Sequence, residues 1–435
     1  VLKAGWSKAV ITPEVGARLT GFSAREGVSV GVHDELYART LVFESEQRTI
    51  ALVSVEVLAL DDGFIAAVKQ AVSRRTRIPV SNILIACTHT HAGPVTIEAS
   101  FNPEETVDAA YMRRLSAAIE QSVDEAWQGR EAATAGWGVT QVAGVGVNRR
   151  DPQNGYVDKA AGVLKVCDMA GAVRAVLIHY ACHPTVLGPD NQLVTGDFPS
   201  FALQEVERST GGFAMFFNGA QGDVSMGHSS ELSAIGVIAP GRTFERAAEL
   251  GQRLAAAVLD EVPRIATAEI ALDAASIRVE LPLKSYPPAE EMARASRVAV
   301  ERLATLAGRD AADTELRRAK MDVLYTSIEE ILAEANRSCR GGPVPVELQG
   351  VRAGEMALIG VPAEAFAEVG QRMKQAGGSK ILVVGLANGY LGYVPCRQAY
   401  GEGGYEVVSS RFTADAEDVL ANAVEGLASS MGMRG

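Results

Sequence analysis

No apolar run in this sequence comes near the roughly 20 residues a helix needs to span a bilayer, so a transmembrane anchor is not expected. An excess of basic residues is also missing. Lys and Arg number 41 against 53 Asp and Glu, a formal net charge of −12, whereas a nucleic-acid binder needs clustered cations to meet phosphates. Cysteine is scarce: Cys87, Cys167, Cys182, Cys339 and Cys396 form no C-x-x-C pair, the odd count leaves at least one thiol free, and nothing suggests a disulfide scaffold. The chain opens Val1-Leu2-Lys3-Ala4-Gly5 without an initiator Met or the apolar stretch of a signal peptide. With the odd thiol count, this points to the cytoplasm rather than secretion. No internal repeat, low-complexity tract or clear linker interrupts the chain. What remains is a 435-residue sequence, 47% apolar and 22% charged, with the composition of a globular protein and enough length to bury a large core.

The order of patterns predicts one large α/β domain over residues 1–435. Residues 48–58 read as a buried strand, Asp61-Asp62 as the cap of a helix reaching about Arg75, and Asn82–Cys87 as the next strand. That succession implies a parallel crossover. Residues 162–181 predict a hairpin turning at Ala170-Gly171. A helix over Pro199–Arg208, a strand over Gly212–Phe217 and an amphipathic helix over 240–260 follow. Residues 287–337 turn to Ala, Glu and Arg at helical spacing, a helical excursion on the side of the fold. A strand over Met356–Val361, a helix over Ala363–Gln375, a strand over Ile381–Leu386 and a helix over Asp415–Leu427 complete the chain. The fold expected is a mixed parallel and antiparallel sheet flanked by helices, with its site at the C-terminal ends of strands.

Histidine is also scarce, and its placement carries the most information. Four of the six sit in two clusters, Thr88-His89-Thr90-His91 and His179-Tyr180-Ala181-Cys182-His183-Pro184, each ending an apolar run. Imidazole is the commonest zinc ligand and the usual proton carrier near neutral pH. On an extended backbone His89 and His91 would share a face; the plain alternative is a pair bonded to backbone. His179 reads as a packed core residue, and His183, beside Pro184, as the better ligand. A catalytic zinc needs a further ligand, often a carboxylate. Glu364 follows a strand in Val361-Pro362-Ala363-Glu364, with an ordinary first-turn helix acid as its alternative. Gly222-Asp223-Val224-Ser225 is neither a phosphate loop nor a nucleophile elbow; it offers a carboxylate and a hydroxyl two residues apart, or simply a solvated turn.

These pieces in this order resemble the neutral/alkaline, non-lysosomal ceramidase family. The likeness runs through Lys8-Ala9-Val10-Ile11-Thr12-Pro13, His33-Asp34-Glu35-Leu36-Tyr37-Ala38-Arg39 and Thr88-His89-Thr90-His91-Ala92-Gly93-Pro94. It continues through Asn148-Arg149, His183-Pro184-Thr185, Gly222-Asp223-Val224-Ser225, Val361-Pro362-Ala363-Glu364 and Gly385-Leu386-Ala387-Asn388. The resemblance implies a zinc-dependent amidase holding one catalytic Zn2+ through His89, His183, Glu364 and Tyr393. It also implies that His91, Arg149 and Tyr405 line the reacting centre and that Asp223 and Ser225 belong to the Gly-Asp-x-Ser loop. Asp223 or His91 would carry the proton, and Ser225 would hydrogen-bond the substrate. The immunoglobulin-like domain of larger members has no counterpart in the sequence. Met226 stands where the family usually has Pro-Asn, and the loop from Leu391 to Gly404 has few of the family's Thr and Tyr residues. The expected substrate is a lipid-like or small linear amide, ceramide or another N-acyl compound. A zinc esterase or lactonase on the same scaffold, or a ligand-binding relative without turnover, are the other readings.

Overall fold

Strand-forming Val, Ile, Leu and Phe build two main sheets, of eight and four strands, with three two-stranded pairs beside them among the described residues. The structure is a computed structural model that describes residues 1–98, 102, 104–309, 311–339 and 342–433. The larger sheet has eight strands, in the order Phe213–Asn218, Val173–Tyr180, Ala160–Asp168, Glu131–Gln141, Lys3–Val10, Tyr37–Glu44, Thr49–Val55 and Ile83–Cys87. It is antiparallel in the middle and parallel at both ends, where Ala51 pairs with Ile83 and Phe213 with Ala175. The predicted crossover joins Thr49–Val55 to Ile83–Cys87 through the helix Asp62–Thr76, whose cap Asp61 accepts a hydrogen bond from the Phe64 amide. The predicted hairpin is the pair Ala160–Asp168 and Val173–Tyr180.

The smaller sheet orders Leu272–Leu281, Val344–Ala353, Met356–Gly360 and Ile381–Val384. One core of side chains from both sheets, among them Leu52, Leu84, Leu164, Leu177, Leu358 and Leu382, lies between them. Fully burying each such side chain contributes about 1.5–3 kcal/mol. On its other face the large sheet packs against the helices Asp62–Thr76 and Ala109–Gln128 at one side and Phe198–Thr210 and Phe244–Glu261 at the other. The small sheet is covered by Ala367–Gly377 and Ala416–Ser430. The helical excursion is present as Ala289–Ala307 and Asp313–Ser338.

The large sheet curves until its two parallel ends approach each other. Ser54 Oγ donates to the Phe216 carbonyl at 2.6 Å, and Asn218 Nδ2 donates to the Thr88 carbonyl at 3.1 Å. Strand ends that lie far apart in the sheet order therefore meet, and the two histidine clusters meet with them.

One boundary differs in a way that matters. The helix expected from Ala363 begins at Ala367, and Glu364–Ala365 is instead a short strand paired in parallel with Tyr393–Val394. The first-turn reading of Glu364 is thereby overturned: the backbone is extended there, and the amide of Glu364 donates to the Gly392 carbonyl.

Candidate metal centre

His89 and His183 arrive at the site on loops that follow buried strands. His89 has a positive φ of 75°, a left-handed conformation that costs roughly 1–2 kcal/mol for a residue with a Cβ. The side-by-side geometry expected of an extended Thr88–His91 is therefore not how these histidines converge; a turned loop brings them in. Buried Asn218 ties both clusters together, donating from Nδ2 to the carbonyls of Thr88 and Cys182 and accepting the Cys182 amide at Oδ1. Gly21, at φ +103°, lies against the His91 ring so closely that a Cβ would come within 2.6 Å of it.

The tautomers follow from the backbone. His89 Nδ1 lies 2.8 Å from the Leu58 carbonyl, and His183 Nδ1 lies 2.7 Å from that of Gln221. A carbonyl only accepts, so each Nδ1 carries a proton. Both Nε2 atoms then face one carboxylate oxygen, Glu364 Oε2, at 3.1 Å and 2.9 Å. Burial, then the charge of Arg149, brings His183 down to about 4, and the neighbouring imidazoles outweigh the burial of Glu364 and hold it well below the usual carboxylate range. A single shared proton would satisfy one of these contacts and leave lone pair against lone pair in the other. A divalent cation satisfies both, so the donor set fits a metal. His91 adds a third imidazole: ligand atoms of His89, His91 and His183 lie within 4.8 Å of one another, and neither ring nitrogen of His91 has a hydrogen-bond partner among the described residues.

The other carboxylate oxygen, Glu364 Oε1, accepts a hydrogen bond from the Tyr390 hydroxyl at 2.8 Å. Burial, then Glu364, pushes that phenol well above its ordinary pKa, which keeps it a donor. Tyr390 was visible in the sequence only as one of four tyrosines in an aromatic loop. Its spacing, three before Tyr393, gave no means of deciding which ring would face the carboxylate. The Tyr393 hydroxyl is placed differently: it accepts from Arg149 Nη2 at 3.0 Å, beside the imidazole cluster. Arg149 also donates to Glu406 at 2.8 Å and to the Gly222 carbonyl at 2.9 Å. Tyr405 packs edge-on to Tyr393, and burial, followed by Glu364, raises it to about 12.

Asp223 and Ser225 are not brought to the cavity wall. Asp223 accepts from the Ala367 amide and from Asn148 Nδ2, both at 2.8 Å, so each carboxylate oxygen is taken by the scaffold. Ser225 lies in a two-residue strand paired with Val147–Asn148 and is buried. In this arrangement Asp223, expected as a proton carrier, and Ser225, expected as a substrate contact, brace the segment that carries Arg149. His179 behaves as read, buried with Nε2 on the Val383 carbonyl at 2.7 Å.

The cluster opens into a cavity of about 380 Å3 whose walls include Leu58, Ile97, Ile331, Leu332, Tyr390 and Leu391. Ile331 and Leu332 come from the helical excursion, so that excursion forms part of the site.

A buried imidazole–carboxylate cluster at the strand ends of a two-sheet α/β sandwich, facing an apolar cavity, defines a candidate metal-dependent enzyme. The family model for neutral/alkaline non-lysosomal ceramidase, N-terminal, matches residues 2–226, and the chain belongs to the neutral/alkaline non-lysosomal ceramidase family. The match contains His89, His91, Arg149, His183, Asp223 and Ser225, and ends before Glu364. A neutral ceramidase of Mycobacterium tuberculosis (strain ATCC 25618 / H37Rv) is 24% identical over 482 residues, covering 95% of this chain and 74% of that protein. A neutral ceramidase of Drosophila pseudoobscura pseudoobscura is 26% identical over 232 residues, 47% of this chain and 32% of the relative. The fold is that of a solved ceramidase complexed with C2 (TM-score 0.76, 18% identity, 99% of this chain and 75% of that one). It is shared with the neutral ceramidase from Pseudomonas aeruginosa (TM-score 0.75, 20% identity, 99% and 74%).

Proposed function

We propose that this protein is a zinc-dependent hydrolase that cleaves the carbon–nitrogen bond of a linear N-acyl amide. The observation that carries the reading is the convergence of His89 Nε2 and His183 Nε2 on Glu364 Oε2, with His89 and Glu364 in the wall of an apolar cavity. His89, His183 and Glu364 would hold the ion, with Tyr393 and His91 beside it. A zinc ion there would supply Lewis acidity and bring the pKa of a water toward about 7.

The remaining chemistry belongs to side chains. Burial, then His89 and His183, holds His91 well below its ordinary pKa, so it is neutral, with one ring nitrogen carrying a proton and the other free to accept one from the attacking water. Addition of the water oxygen to the carbonyl carbon places negative charge on the carbonyl oxygen. Tyr405, still protonated at neutral pH, and the Arg149 guanidinium are the donors available to that oxygen. His91 then returns its proton to the nitrogen as the carbon–nitrogen bond breaks, giving a carboxylic acid and an amine. The apolar cavity fits the alkyl part of an acyl compound, ceramide among them.

The test is metal analysis of the purified protein with hydrolysis assays on ceramide, N-acyl amino acids and matched esters, before and after chelation. Bound zinc and chelator-sensitive amide cleavage are the expected result. Full activity without metal, or cleavage of esters alone, would overturn it.

A further inference from the structure

Beside the apolar cavity the site has a second, polar recess, and the part of it around Arg242 has no role in the proposed reaction. It holds about 40 Å3 and shares His91, Tyr393 and Tyr405 with the apolar cavity. Arg149, Arg242 and His228 line it, together with Ser230 and Ser233, and among the described residues no carboxylate does. On this measure a single water needs about 10–15 Å3, so the recess suits a small polar group and not a long chain.

Arg242 gives this recess its character. It is 8% exposed. It donates to Ser233 Oγ at 2.5 Å and weakly to the Leu187 carbonyl at 3.5 Å, and its Nε has no partner among the described residues. Its guanidinium lies over the Phe22 ring, and Phe22 in turn packs edge-on to His91. Asp190 and Asp197 act on Arg242 only at longer range, and both Asp197 oxygens are taken by the amides of Val186, Leu187 and Phe198. Arg149 is different, being paired with Glu406. A desolvated cation with an unused N–H and no ion pair is costly unless an anion completes it. Burial lowers Arg242 only to about 10, so it stays charged at neutral pH.

We propose that this recess is an anion subsite, that Arg242 binds a carboxylate on the amine portion of the substrate, and that the preferred substrate class is therefore N-acyl amino acids. The inference rests on the amide-hydrolase reading. The apolar cavity takes the acyl chain, the scissile carbonyl lies at the imidazole cluster, and a carboxylate one carbon beyond the nitrogen enters the recess past His91.

The experiment compares N-octanoylglycine with its neutral partners, N-octanoylglycinamide and N-octanoylethanolamine, on the zinc-loaded protein. The expected result is a kcat/KM higher for the carboxylate substrate by about ten- to a hundredfold, the value of a charge-assisted hydrogen bond. In Arg242→Gln the ratio between substrates should fall toward one, and in Arg242→Lys it should be partly kept. Binding is measured in parallel with the hydrolysis-resistant ketomethylene isostere of N-octanoylglycine and its methyl ester, by calorimetry on wild type and Arg242→Gln. Tighter binding of the free acid that disappears in the variant supports the subsite. Equal binding of acid and ester, or a preference for neutral substrates, overturns it while leaving amide hydrolysis intact. Failure to hydrolyse any of the amides defeats the enzyme reading instead, and the isostere pair still decides the subsite.

Discussion

Two buried carboxylates, Glu364 and Asp223, occupy neighbouring parts of this molecule and are treated in opposite ways. Both are almost inaccessible, at 1% and 3% exposure. Asp223 is raised to about 6 because burial outweighs the neutral donors Ala367 N–H and Asn148 that face it. Glu364 meets the same burial, but His89 and His183 outweigh it and hold the carboxylate ionised. Depth alone therefore does not make a functional acid. Asp223 spends both oxygens on the scaffold, whereas Glu364 has one oxygen fixed by Tyr390 and the other turned to the imidazoles.

The contrast can be broken most directly at Glu364. Glu364→Gln keeps the shape and removes the charge that completes the donor set. Zinc content should collapse and activity should fall by at least ~10²–10³; one zinc per chain with normal turnover would show that His89, His91 and His183 suffice. Tyr405→Phe should retain metal, as measured by elemental analysis, but lower kcat by ~10² through loss of a donor to the carbonyl oxygen. Unchanged kcat would remove Tyr405 from the reacting centre. Tyr390→Phe should weaken zinc affinity about ten- to a hundredfold in a chelator competition, the usual size for a residue that orients a ligand. Equal affinity would mean that Glu364 is held by packing alone.

Asp223→Asn is the smallest and the most diagnostic of the difference. It turns an amide toward the Ala367 or Asn148 donors, so thermal stability should drop by about 1–3 kcal/mol with zinc still bound. The pH dependence has a definite sign. A carboxyl raised from 3.8 to about 6 contributes stability that is complete below 3.8 and is lost as pH rises through about 6. Stability curves of wild type and Asp223→Asn should converge in slope above that window and diverge within it; parallel curves throughout would show that Asp223 does not titrate there.

Much of the architecture was legible because it rests on local pattern. The apolar runs before His89 and His183, the Asp61 cap and the Ala-Glu-Arg periodicity of 287–337 all report short-range preferences for strand, cap and helix. The presence of two sheets was not legible, since buried strands look alike whichever layer they join. Nor was the difference between Tyr390 and Tyr393, or the unpaired state of Arg242, because a sequence pattern does not say which charge will lack a neighbour.

The sequence by itself determined which residues could do chemistry: a few histidines concentrated at strand ends, and carboxylates in loops, fixed by side-chain pKa and local backbone preference. Tertiary structure alone decided which of them meet. Curvature of the large sheet brings the Thr88 and Cys182 loops onto Asn218, and packing of the second sheet delivers Glu364 between the imidazoles. Those contacts join residues up to 275 positions apart (His89 to Glu364), a separation over which only cooperative burial of the core, and no local preference, can hold two side chains in register.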